Sequence, residues 1–260
     1  SLMARLDRHQ MQKEVAQIAA CIGREFAHAL LLRVAGMTEE ALDEALAQLQ
    51  DAELVYVRGT GADRQYLFKH ALVRDAAYAS LVKRKREELH AHVLAALEAA
   101  ADTPAELLAH HATAAGLRER AIALWARAGA QAMSRYAFAE AVSDLRNALA
   151  LLPAEGADAE TLARRLDLLL ALGQATIPLR GYSHSASVEV FSEAYQLAQR
   201  IDDTQRAFWV AYARWVVYYV RGEHAVAYGV AQSMVQQTLD DKDQGRSLTA
   251  LRTRGISEMI

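Results

Sequence analysis

One stretch constrains the fold of this sequence more than any other. Between Ala121 and Pro153, the residues Trp125, Gly129, Ala141, Leu145, Ala148 and Pro153 stand at the informative positions of a helix-turn-helix unit of about 34 residues. Each residue type has a steric reason. Trp125 fills the space between paired helices, and Gly129 lets the second helix approach closely. Ala141 and Ala148 are small where backbones cross, and Pro153 stops the second helix because it has no N–H to give. A unit like this cannot bury its apolar side alone, so further units must stack on it.

The spacing is that of a tetratricopeptide repeat, and looser copies follow. One spans Leu166–Arg200, with Leu169, Leu172 and Gly173 in its first helix and Phe191 and Ala194 in its second. Its turn, around Pro178–Ser185, is longer than the consensus. Another runs from Ala207 to about Leu239, with Ala211, Trp215 and Tyr218 before the turn at Gly222 and Ala227 after it. Upstream, Glu106–Gly116 paired with Arg118–Ala132 reads as a degenerate unit that shares a helix with the Trp125 repeat. Leu248, Leu251 and Gly255 read as the first helix of a unit whose partner is missing after Ile260. An uncapped end and a start inside a helix suggest a piece of a longer chain with a truncated last repeat.

The first hundred residues follow a different pattern. Apolar positions at helical spacing predict a helix over Leu2–Gly23 and a second over Glu25–Val34. Thr38 is placed as an N-cap for a third helix, whose face is Ala41, Leu42, Ala45, Leu46 and Leu49. Two β-prone runs, Leu54–Val57 and Tyr66–Phe68, flank the turn-rich Gly59–Asp63 and predict one hairpin. A longer helix is expected from Ala71 to about Ala100. The fold class is therefore mainly α: a winged-helix domain over 1–100 with the hairpin as its wing, then a tetratricopeptide-like α-α superhelix over 101–260.

Charge argues against nucleic acid. The helix before the hairpin and its end carry Glu39, Glu40, Asp43, Glu44, Asp51 and Glu53 with no Lys or Arg between them, and a duplex would repel it. The net charge of -3 adds no general attraction for nucleic acid or anionic lipid. The basic run Lys83–Arg86 reads as a solvated helix face, with a docking patch for an acidic partner as the sharper alternative. No apolar run is long enough to span a bilayer, and with a single cysteine, Cys21, a cytoplasmic location is the expectation.

Several runs resemble a known bacterial group. They are Ser1-Leu2-Met3-Ala4-Arg5-Leu6-Asp7, Ile22-Gly23-Arg24-Glu25-Phe26, Phe68–Tyr78, Glu106–His111 and Ala121–Gly129. Together they resemble the region downstream of the ATPase core in signal-transduction (STAND/AAA-type) ATPases fused to class III adenylate or guanylate cyclases. The resemblance implies a winged helix followed by repeats, with ATPase and cyclase domains as neighbours in a longer chain. The helical-repeat, effector-binding segments of large ATP-dependent (LuxR-type) transcription regulators are the nearest alternative. No Gly-x-x-x-x-Gly-Lys-Ser/Thr phosphate loop occurs, so neither ATP hydrolysis nor cyclic-nucleotide synthesis is expected of these residues. The resemblance further implies that His70, after the second wing strand, approaches the β-phosphate of ADP; capping of the next helix or core packing are its ordinary alternatives.

The remaining site reading comes from the residues. Neighbouring histidines, His110 with His111 and His90 with His92, point to different sides of a helix. No His-Glu-x-x-His spacing or cysteine cluster exists, so neither metal nor cofactor is expected. In the helix from Arg206 to Val220, Phe208, Ala211, Trp215 and Tyr218 should face the pairing helix. A second stripe, Trp209, Tyr212, Val216 and Tyr219, is the candidate groove for a peptide, protein partner or small ligand, unless neighbouring repeats cover it.

Overall fold

The computed structural model describes residues 10–100, 102–153, 158–239 and 243–259. The run Ser1–Asp7 and the expected first turns of the opening helix lie outside the described residues. The described part is mainly helical with one small antiparallel sheet, and it forms two compact units that meet between Ala121 and Ile122.

In the first unit the order is α1 (Gln10–Ile22), β1 (Glu25–Ala27), α2 (His28–Ala35), α3 (Glu39–Asp51), β2 (Val55–Arg58) and β3 (Gln65–Phe68). Then come α4 (Ala71–Ala79), α5 (Lys83–Glu98) and α6 (Ala105–Ala114). Gly23 follows α1, its N–H reaching the Ala19 carbonyl. Thr38 caps α3 as its sequence predicts, its Oγ1 accepting from the Ala41 N–H at 3.3 Å.

Two expectations need correction. Glu25–Ala27 is a strand rather than the first turn of a helix, so the sheet has three strands in the order β1-β3-β2 and not one hairpin alone. The cause is tertiary. Phe26 lies opposite Tyr66 on β3, their rings stacked at 5.8 Å, and it also meets Phe68 at 5.6 Å. Pairing with β3 and burial of these three rings outweigh the local helical pattern. The second correction is that the helix expected over Ala71–Ala100 breaks at Ser80–Val82. There Ser80 Oγ donates to the Ala77 carbonyl and accepts from Gln17, while Val82 is extended. The break lets α4 pack on α1 while α5 reaches α2 and α6.

The unit that begins at Ile122 consists of helices in antiparallel succession. It takes in most of α7 (Arg118–Ser134), then α8 (Phe138–Leu151), α9 (Ala159–Arg180) and α10 (Ser185–Arg200). They continue with α11 (Thr204–Val220), α12 (His224–Gln237) and α13 (Gln244–Glu258). From α8 onward each helix packs on the next, the contact pattern of a helical repeat array. The small residues sit where the repeat spacing puts them: Ala141, Ala148, Ala194, Ala211 and Ala227 are all buried. At Gly129 an added Cβ would come 2.8 Å from Leu145, and at Gly173 one would come 2.5 Å from the Phe191 ring. Both glycines set the closeness of a helix pair.

Two details of the repeats differ from expectation. Pro178 lies inside α9, which runs on to Arg180, so the connection is only Gly181–His184. Near a helix end the missing N–H of proline costs a single bond. In α13 the buried residues are Ala250 and Thr253, whereas Leu248 and Leu251 are exposed. Short side chains on the inner face bring α13 close to its neighbours and turn the two leucines outward.

Candidate functional site

The four groove residues read from the sequence divide into two pairs on α11. Trp209 is 48% exposed, and Tyr212 is half-buried beside it. With Trp215 they line a cleft of about 270 Å³ whose other wall is Thr249, Arg252, Thr253 and Ile256 of α13. Val216 and Tyr219 pack against the buried cluster of Trp215, Ala227 and Ala231 and do not line the cleft, whereas Tyr212 does both. On the pairing side Phe208, Ala211 and Trp215 are buried as expected, and Tyr218 is half-buried.

The cleft is rigidly built. Tyr212 and Trp215 stack at 5.9 Å with 27° between their planes, and Tyr219 also stacks on Trp215, at 5.1 Å. Trp215 Nε1 donates to Ser257 Oγ at 2.8 Å, tying α11 to α13. Trp209 stands nearly perpendicular to Tyr212, at 82° and 6.3 Å, so the two rings make an open corner. Rings held this way give contact area with little ordering cost on binding.

His70 lies at the end of β3, at the N-cap position of α4. Its side chain is exposed and makes no cap hydrogen bond, so neither ordinary role, cap or core, is the one it plays. The basic run offers little free charge. Lys83 and Arg84 pair with Glu87 and Glu88 one turn on, and Arg86 turns inward over the Tyr78 ring to donate to the Leu81 carbonyl. That matches a solvated helix face better than a docking patch.

Two polar clusters escaped the sequence reading. His28, 4% exposed, donates from Nε2 to Asp43 Oδ1 at 2.8 Å. Arg64 Nη1 lies 2.9 Å from that same oxygen and 3.6 Å separates Arg64 from Glu39. Partial burial pushes the Asp43 carboxyl up, but hydrogen bonds from Arg64 and His28 outweigh it and hold the carboxyl below the usual carboxylate range. Among the described residues, His28, Glu39 and Asp43 are the only group with metal-ligand spacing. The Arg64 guanidinium already supplies the positive charge there, and a metal ion would have to expel it. The cluster ties the acidic helix α3 to Arg64, just before β3.

The second cluster is a buried histidine pair. His90 and His111 are 2% and 1% exposed, and their Nδ1 atoms lie 2.9 Å apart. Tyr78 OH meets His90 Nε2 at 3.0 Å. Across α5 and α6 the buried His90 meets His111, and exposed His110 does not stand apart but lies edge-on to both rings. Burial, then the fields of His110 and Arg86, lower the His90 pKa to about 4. Burial, then His90 and His110, lower that of His111 to about 3. A signal was present in the sequence. His90 shares the apolar stripe of Val93, Leu94 and Leu97, and His111 that of Leu108 and Ala112.

No family model matches the chain. A curated relative, an uncharacterized protein of Rhizobium meliloti (strain 1021), is 30% identical over 216 residues, which is 80% of this chain and 21% of the relative. The chain thus spans about a fifth of the length of the curated relative it matches. Among solved structures it is similar to a Signal Transduction ATPase with Numerous Domains protein with a tetratricopeptide repeat sensor from Pyrococcus horikoshii. The identity is 11% and the TM-score 0.38, over 98% of this chain and 42% of that one. BtubC (BKLC) from P. vanneervenii gives 12% identity and a TM-score of 0.32, over 96% of this chain and 92% of that one. No described helix is long and apolar enough to cross a membrane.

Proposed function

We propose that these residues form a non-catalytic regulatory module of a multidomain bacterial signalling protein. In this reading the first unit is a winged helix, and tetratricopeptide-like repeats hold a protein partner or small ligand. The bound state is passed to an ATPase core and, through it, to a class III adenylate or guanylate cyclase. The observation that carries the proposal is the open aromatic cleft at Trp209 and Tyr212, a preformed contact surface on a repeat array.

Other features support parts of the proposal. The succession helix, strand, helix, helix, hairpin, with sheet order β1-β3-β2, suits a winged helix. The acidic face of α3, with Glu40 and Glu44 toward solvent, suits contact with protein rather than duplex. The clusters at His28 and His90 tie elements of the first unit together through their own hydrogen bonds. The ATPase and cyclase neighbours rest on the resemblance of the sequence runs alone. Within that reading, exposed His70 contacts the β-phosphate of ADP held by the neighbouring ATPase core.

Two measurements test this. The purified chain, incubated with ATP and GTP, is expected to release neither phosphate nor cyclic nucleotide, and turnover would overturn the non-catalytic assignment. In the longer parent chain, His70→Ala is expected to weaken ADP binding about tenfold, the loss of one charge-assisted contact. Unchanged ADP affinity would remove His70 from the account.

A further inference from the structure

The cleft between α11 and α13 carries more chemical information than its aromatic walls alone. Its lining holds one charged side chain, Arg252, and no carboxylate. The other arginines of these helices are engaged. Arg206 pairs with Asp203 and Asp167, Arg221 with Glu223, Arg246 with Asp243 and Arg254 with Glu258, while Arg214 lies over the Tyr195 ring. Arg252 is exposed, and no described residue forms an ion pair with it. An unpaired guanidinium at the mouth of an aromatic corner is a recognition element in want of an anion.

We propose that this cleft binds a small molecule that joins a flat apolar ring to a carboxylate, the ring in the corner of Trp209 and Tyr212 and the carboxylate on Arg252. The inference rests on the cleft's being the binding surface of the module. The corner between the perpendicular rings accepts a third ring, face to one and edge to the other, the arrangements aromatic quadrupoles favour. The planar fork of Arg252 matches a carboxylate in two parallel hydrogen bonds. Thr249 Oγ1 donates to the Gly245 carbonyl and keeps lone pairs for a ligand hydroxyl or amide.

Alternatives fit less well. Aromatic corners also attract organic cations, but here Arg252 would repel one and no lining carboxylate would offset it. A phosphate carries more charge than one guanidinium balances, and the lining supplies no second cation. A cleft of about 270 Å³ suits a ligand of one or two rings rather than several side chains of a peptide.

The test uses the whole 260-residue chain and calorimetric titration with three probes: 2-naphthoate, the neutral 2-naphthylmethanol, and an acetylated peptide ending in a phenylalanine carboxylate. The expected order is naphthoate tightest, with the alcohol about tenfold weaker or more. Arg252→Gln should weaken naphthoate about tenfold and leave the alcohol unchanged, since an exposed arginine can be replaced without unfolding the helix. Trp209→Ala should weaken both. Equal binding of the acid and the alcohol, or no response to Arg252→Gln, would refute the carboxylate assignment. Loss of both on Trp209→Ala would even then leave the cleft standing as a binding surface. Peptide binding without naphthoate binding would refute the small-molecule assignment, and absence of binding by all three would overturn the inference.

Discussion

Acidification should loosen the first unit through two side chains, His90 and His111. Folded, they are neutral, because burial lowers their pKa values to about 4 and about 3. Unfolded, each titrates near 6.5. Depressed folded values mean that full stability is present above about pH 6.5 and is lost as pH falls toward 4, since only the unfolded chain takes up the protons. Each histidine then contributes about 1.4 kcal/mol per pH unit, or about 2 kcal/mol at pH 5, and the pair up to about 4 kcal/mol. The groups facing them add no compensating acid: Tyr78, Arg86 and His110 surround the pair. Trp125, Trp209 and Trp215 all lie beyond Ala121 in the sequence, so none belongs to this unit. Amide hydrogen exchange of α5, corrected for the intrinsic rate at each pH, reads it directly. Between pH 7 and pH 5 protection of Val93 and Leu94 should fall by up to about a thousandfold, and His111→Gln should remove about half of that loss on a logarithmic scale. If the variant and the natural chain lose protection in parallel, the buried pair is not the cause and the argument fails.

Other consequences follow from the packing. Gly173→Ala gains up to about 1 kcal/mol of helix propensity but puts a methyl 2.5 Å from the Phe191 ring, so a net loss of about 1–2 kcal/mol is expected in urea unfolding. Adding Phe191→Leu should restore part of that loss, and a stabilised Gly173→Ala single variant would contradict the close approach. Thr38→Ala should cost about 1 kcal/mol through the lost cap of α3, measured as faster amide exchange in that helix, and unchanged protection would count against it.

What could be read from the sequence was what local sterics determine. The Trp125–Pro153 spacing, the capping threonine and the small residues at helix crossings each have one physical reason, and each sits where that reason puts it. What could not be read depends on distant partners. Glu25–Ala27 is a strand only because β3 lies alongside it, and α4 separates from α5 only because α1 offers Ser80 a side-chain partner. The cleft was half legible. Trp209 and Tyr212 lie on a stripe visible at helical spacing, but Val216 and Tyr219 share that stripe and serve the core. Arg252 comes from a helix 40 residues further on, and its freedom from ion pairs is a property of three dimensions. The approach of His90 to His111 and His110 crosses from α5 to α6, which spacing along either helix does not show.

The measurement that bears most directly on the module as a contact surface is quenching of Trp209, read as the difference between the natural chain and Trp209→Phe, which leaves Trp215 and its tie to Ser257 in place. Trp209 stands at the mouth of the cleft at 48% exposure, so the account predicts ready quenching by acrylamide and, beside Arg252, stronger quenching by iodide than by caesium. A blue-shifted indole that neither ion reaches would mean that the aromatic corner is closed in solution, and the contact surface proposed here would not exist.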